Sequence, residues 1–163
     1  MNRLEDIEAF PRFVATPRPL RILLAEDNKF NQILVSKYIA LAGWSLQIVD
    51  DGRAAVEAVR MTPDPFDLVL MDIRMPVMDG TEAALAIRAL PGRRGDVSIL
   101  AFTANTSNAD HDAYLSAGID GVIPKPMSRE SLFAAIAAAV DCRPLIDAGS
   151  AGTDGLDSDP ILA

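Results

Sequence analysis

The chain has 163 residues, 50% of them hydrophobic and 23% charged, with a net charge of −8. That is one soluble globular domain with apolar residues enough for a full core, and no apolar run reaches the roughly 18–20 residues needed to cross a bilayer. One cysteine, Cys142, excludes an internal disulfide; one histidine, His111, excludes a His/Cys metal cluster; and an acidic chain without a basic stripe argues against direct nucleic-acid binding.

Residues 1–19 form an N-terminal extension. Leu4, Ile7 and Phe10 have the spacing of a short helix, and Pro11, Pro17 and Pro19 stiffen the lead-in that follows. A loosely attached tail is the preferred reading of that segment. No basic region followed by an apolar stretch marks a signal peptide, so a cytoplasmic location is expected.

From Arg21 the pattern alternates between short apolar runs and helical spacing. A strand at 22–25 ends in Glu26-Asp27. A helix over 29–41, capped by Asn28 and stopped by Gly43, carries Ile33, Leu34, Tyr38 and Leu41 at a 3–4 spacing. A strand at 45–49 is followed by a helix over 52–60 opened by Asp51. The unbroken run Leu68-Val69-Leu70-Met71 reads as a strand buried on both faces, and it ends in Asp72. Asp79 with Glu82 three residues on reads as a capping box for a helix carrying Ala83, Ala84, Ile87 and Leu90. Residues 91–95 read as a solvated loop. A strand at 98–102 ends in Thr103-Ala104, a helix runs over 107–117 to Gly118, and a strand at 121–123 ends in Lys125-Pro126. Ser128 then caps a helix whose Leu132, Phe133, Ile136, Ala137 and Val140 form an apolar stripe. Residues 142–163, rich in Asp, Gly, Ser and Ala, read as an acidic flexible tail. Five strand–helix units imply an α/β fold, a five-stranded parallel sheet with helices on both faces.

In such a sheet ligands bind at the carboxyl ends of the strands. That edge gathers Glu26, Asp27, Asp72, Thr103 and Lys125. Converging carboxylates repel unless a cation lies between them, and an all-oxygen donor set selects a hard divalent ion, Mg²⁺ or Mn²⁺. A metal beside a free carboxylate with an ammonium opposite suits a phosphoryl group: an Asp oxygen attacks in line, Lys125 neutralises phosphoryl oxygens and the Thr103 hydroxyl donates to one. A phosphohydrolase with an aspartyl nucleophile, of the haloacid-dehalogenase-like kind, needs a second Asp two residues on, where Arg74 stands. A dinucleotide binder needs a glycine-rich turn after the first strand, where Glu26-Asp27-Asn28 stands. A domain that only scaffolds a partner, without being phosphorylated, is disfavoured by the complete acidic site. His111, on the fourth helix, reads as a solvated residue; Cys142 reads as incidental, and Met71, Met75 and Met78 as packing.

The segments LLAEDNKFNQ, FDLVLMDIRMPVMDG, ILAFTAN and GVIPKPMS, in this order and at these separations, resemble the receiver domain of two-component response regulators, most closely the receivers of hybrid histidine kinases. The resemblance spans residues 20–141. It implies a flavodoxin-like, doubly wound sheet of strand order 2-1-3-4-5, and a phosphoryl group passed from a phosphohistidine to Asp72. It further implies Mg²⁺ held by Asp27, Asp72 and the backbone carbonyl of Arg74, with Glu26 acting through a water. Thr103 would be the switch hydroxyl, Lys125 the phosphoryl-binding lysine and Lys125-Pro126 a cis peptide. Val122 stands where the family usually has the Tyr or Phe that turns inward on activation. The implied partners are a histidine kinase or histidine phosphotransfer protein and a downstream protein reading the face built from the fourth helix, fifth strand and fifth helix, with a phosphorylation-dependent dimer as one form of output. The catalysis implied is limited to the domain's own phosphorylation and dephosphorylation. Kinase activity would belong to it only as a fragment of a hybrid kinase.

Overall fold

The computed structural model describes residues 18–141. The N-terminal helical spacing, Cys142 and the acidic tail lie outside the described residues. Five parallel strands, β1 (Arg21–Ala25), β2 (Ser45–Val49), β3 (Leu68–Asp72), β4 (Ser98–Thr103) and β5 (Gly121–Pro124), pair in the order β2-β1-β3-β4-β5. Five α-helices connect and follow them: α1 (Lys29–Leu41), α2 (Gly52–Met61), α3 (Gly80–Arg88), α4 (Asn108–Ser116) and α5 (Arg129–Asp141).

Side-chain alternation along the strands divides the core in two. Leu23, Ala25, Val69, Met71, Ile99 and Ala101 pack on the face shared with α2, α3 and α4, against Val59, Ile87 and Tyr114. Ile22, Leu24, Leu68, Leu70, Leu100 and Phe102 pack on the opposite face, against Val35, Ile39, Leu132, Phe133 and Ile136 of α1 and α5. Every residue of β3 and β4 is buried, which explains their unbroken apolar runs. The edge strand β2 leaves Ser45, Gln47 and Ile48 exposed.

The caps behave as the sequence implies. Asn28 accepts the Asn31 amide, Asp51 the Ala54 amide and Ser107 the Asp110 amide; Asp79 and Glu82 form a reciprocal capping box. Ser128 Oγ accepts the Ser131 amide at 3.1 Å.

Three expectations change. The helix α1 does not bury the spacing Ile33, Leu34, Tyr38, Leu41. Its inward residues are Gln32, Val35 and Ile39, while Ile33 and Leu41 are each 58% exposed and Phe30 is 72% exposed. Two apolar registers are interleaved on this helix, and packing on β1 and β3 selects the one that carries a glutamine. The loop over 91–95 is solvated only at its start. A 3₁₀ turn, Gly92–Arg94, brings the Arg94 guanidinium to the Thr62 carbonyl at 2.7 Å, and Gly95 is buried. The last two strands run longer than expected, taking in Thr103 and Pro124.

Candidate functional site

The site lies at the carboxyl ends of β1, β3, β4 and β5. Asp72 is the last residue of β3, its backbone paired with Phe102, and it is 5% exposed. Glu26 follows β1 and is 2% exposed; Asp27, next along, is exposed. Each of the three offers a carboxylate oxygen, and these oxygens lie within 4.8 Å of one another. Lys125 Nζ reaches the cluster from beyond β5, 3.2 Å from Asp72 Oδ1 and 3.5 Å from Glu26 Oε2. Lys125-Pro126 is a cis peptide.

Unit charges about 5 Å apart at an effective dielectric of about 20 repel by roughly 3 kcal/mol. One ammonium among three ionised carboxylates leaves two negative charges, the complement of a divalent cation. The donors are all oxygen, so the residues present fit Mg²⁺ or Mn²⁺. Burial pushes the Glu26 carboxyl above the usual carboxylate range, the Asn28 amide opposes this, and the Asp72 charge adds to it.

The turn after β1 is firmly held. The Glu26 amide continues the ladder to the Val49 carbonyl at 3.1 Å, and the buried Gln32 donates to the Glu26 carbonyl at 2.5 Å. The same Gln32 amide donates to Asp50 Oδ1 at 2.7 Å, and Lys29 pairs with that oxygen at 2.8 Å. The Glu26 carboxylate accepts from the Asn28 amide at 3.0 Å and from Asn31 Nδ2 at 3.3 Å. On the other side, the Arg74 amide donates to Asp72 Oδ1 at 3.3 Å, and the Arg74 side chain is exposed. Thr103 is 4% exposed; its Oγ1 accepts the Asn105 amide at 3.0 Å and lies 3.4 Å from the Tyr114 hydroxyl.

The strand ends therefore bring Glu26, Asp27, Asp72, Thr103 and Lys125 into one cleft. Val122 stands apart from it, half-buried on the α2–α4 face. His111 is exposed on α4, and its ring lies 6.5 Å from that of Tyr114. Met71 is buried and Met75 and Met78 pack partly against the same core, as expected of packing residues. A second, apolar groove opens beside the cleft, shares Glu26 and Lys125 with it, and is lined by Phe30, Leu34, Phe102, Pro126 and Met127.

Four residues near the chemistry escape a reading of strand ends. Asn31 and Gln32 lie on the first turn of α1, five and six positions after Glu26, where a helix folds back over its own entry turn. Gly80 sits so close to β3 that a Cβ there would lie 2.4 Å from the Asp72 carbonyl oxygen. Tyr114 reaches Thr103 from a helix eleven positions on, and nothing in local spacing announces that contact.

Comparison with known proteins places these observations. The family profile of the response regulator receiver domain matches residues 22–137. A two-component response regulator of Oryza sativa subsp. japonica is 40% identical over 116 residues, 69% of this chain and 88% of its own length. Sensor protein GacS of Pseudomonas syringae pv. syringae is 39% identical over 117 residues, 71% of this chain and 13% of that protein. A hybrid signal transduction histidine kinase of Dictyostelium discoideum is 33% identical over 72% of this chain, which spans 7% of that protein. Among solved structures, the receiver domain of a sensor histidine kinase of Pseudomonas aeruginosa PAO1, with a magnesium ion coordinated in its active-site cleft, superposes with a TM-score of 0.68. It is 34% identical, over 76% of this chain and 99% of that one.

Proposed function

This chain belongs to the response regulator receiver domain family of two-component signalling, and from that premise we propose that Asp72 accepts a phosphoryl group from a phosphohistidine and that the modified domain signals by binding another protein. The observation that carries the reading is the buried Asp72 carboxylate with the Lys125 ammonium at 3.2 Å and two further carboxylates within 4.8 Å.

An Asp72 oxygen attacks phosphorus, an acyl-phosphate P–O bond forms, and the P–N bond breaks with its electron pair leaving on the donor's imidazole. Lys125 neutralises charge on the phosphoryl oxygens, and the Thr103 hydroxyl donates to one of them. Asp27, Asp72 and the Arg74 carbonyl would hold the metal directly, and Glu26 through a water. When bound, Mg²⁺ or Mn²⁺ supplies positive charge to the transferring group. Gln32, Asn28 and Asn31 keep the acidic turn in place before any ligand arrives, so little reorganisation is left for the reaction.

The donor is a histidine kinase or a histidine phosphotransfer protein. Phe30, 72% exposed, lines the apolar groove beside the cleft together with Leu34, Pro126 and Met127 and supports docking of an apolar helix face there. The face formed by α4, β5 and α5 is the surface for the downstream partner or for a second copy. Hydrolase chemistry remains disfavoured by Arg74.

Acetyl phosphate with Mg²⁺ should add one phosphoryl mass, abolished in Asp72→Asn. Undiminished labelling of that variant would sink the assignment.

A further inference from the structure

Thr103 and Tyr114 form a buried pair of hydroxyls, of which the chemistry above uses only one. Tyr114 is the buried residue of α4, 5% exposed, and it packs on the same sheet face as Ala101. Its hydroxyl lies 3.4 Å from Thr103 Oγ1 and 3.4 Å from the Asn105 carbonyl. A buried hydroxyl left without a partner is destabilising, so both groups keep partners.

A proton count limits the arrangements. Each hydroxyl has one proton, and the Asn105 amide already occupies a Thr103 lone pair at 3.0 Å. With Tyr114 donating to the Asn105 carbonyl, the Thr103 proton points at the Tyr114 oxygen and both hydroxyls are served. When Thr103 turns that proton to a phosphoryl oxygen on Asp72, the Tyr114 oxygen loses its donor. The Tyr114 proton then has Thr103 Oγ1 and the Asn105 carbonyl as rival acceptors. Tyr114 belongs to α4 and Asn105 to the loop entering it, so the exchange acts on that segment. Val122, set opposite Ala101 on β5, has no polar group with which to follow Thr103.

We propose that Tyr114 is a positioning residue for Thr103. Its hydroxyl directs the Thr103 hydroxyl in the unmodified domain and transmits the change on phosphorylation to residues 104–117. The inference rests on the roles of Asp72 and Thr103 proposed above.

The test uses the full chain, with beryllium trifluoride and Mg²⁺ as the phosphoryl mimic. Tyrosine labelled with ¹³C at ring Cζ gives two resonances, from Tyr38 and Tyr114, which Tyr38→Phe tells apart. The Tyr114 resonance should shift with the mimic and the Tyr38 resonance should stay. Thr103→Ser, which keeps the hydroxyl, should preserve that shift. Tyr114→Phe keeps the ring; it should melt a few degrees lower, because the Thr103 hydroxyl loses its acceptor, and should still take a phosphoryl group at Asp72. It should lose at least half of the mimic-induced change in hydrogen exchange across residues 104–117. An unmoved Tyr114 resonance in a protein that labels at Asp72 overturns the inference, as does an unaltered exchange response in Tyr114→Phe. Failure of the unmodified protein to label at Asp72 overturns the Asp72 reading itself, and this inference with it.

Discussion

Replacing Gly80 by alanine sets two effects of opposite sign against each other. Gly80 is the first residue of α3, and alanine is favoured over glycine in a helix by up to about 1 kcal/mol. The added Cβ, however, would lie 2.4 Å from the Asp72 carbonyl oxygen, 2.9 Å from Ile73 Cα and 3.0 Å from Met71 Cγ. Two of the three are backbone atoms of the strand end that carries Asp72, and these cannot swing away as a side chain can. Overpacking of this kind costs about 1–3 kcal/mol. The displacement needed approaches 1 Å, and it would also strain the bond from the Gly80 amide to the Ile73 carbonyl, 2.8 Å long. The clash should win, with a net loss of about 2 kcal/mol and a fall in Tm of roughly 6 °C. A shift of that size at Asp72 should slow labelling by acetyl phosphate at least tenfold, since misplacement by about 1 Å costs up to a hundredfold. Gly43→Ala is the control. A Cβ there meets open space, but φ is +73°, so stability should fall by about 1 kcal/mol while labelling stays unchanged. A Gly80→Ala protein that melts at or above the unmodified temperature and labels normally would refute the close-approach argument.

Mg²⁺ should raise the Tm by relieving repulsion among Glu26, Asp27 and Asp72, and Asp27→Asn should lose most of that rise; an equal rise in both proteins would refute the metal site. Val122→Ala should change phosphorylation-dependent partner affinity by under roughly 1 kcal/mol, because Val122 stands outside the cleft; a tenfold loss in a binding titration would show that it relays. Trp44 should respond little to Mg²⁺. It is buried edge-on against Phe133 before the start of β2, at the amino edge of the sheet, about 20 Å by strand rise from the acidic turn. Saturable quenching of its emission that vanishes in Asp27→Asn would contradict that placement.

The pattern of apolar runs and helix caps was enough to place five strand–helix units, because β3 and β4 are buried on both faces and every helix entry carries a residue that can accept from the backbone. The site was legible for the same reason. A charged residue ending a buried strand has one place to go, and parallel strands send all their ends to one edge. Glu26, Asp27, Asp72, Thr103 and Lys125 therefore announced themselves, whereas their supports did not. Which face of α1 turns inward was decided by packing: Ile33 and Leu41 satisfy helical spacing as well as Val35 and Ile39 do, and only the fit against β1 and β3 chooses. Gly80 reads in sequence as a helix-opening residue, and its nearness to the Asp72 carbonyl exists only once α3 folds back onto β3. Tyr114 shows the same limit. Its apolar ring is expected in the core, but the meeting of its hydroxyl with Thr103 depends on how α4 is set against β4, a distance that no local pattern encodes.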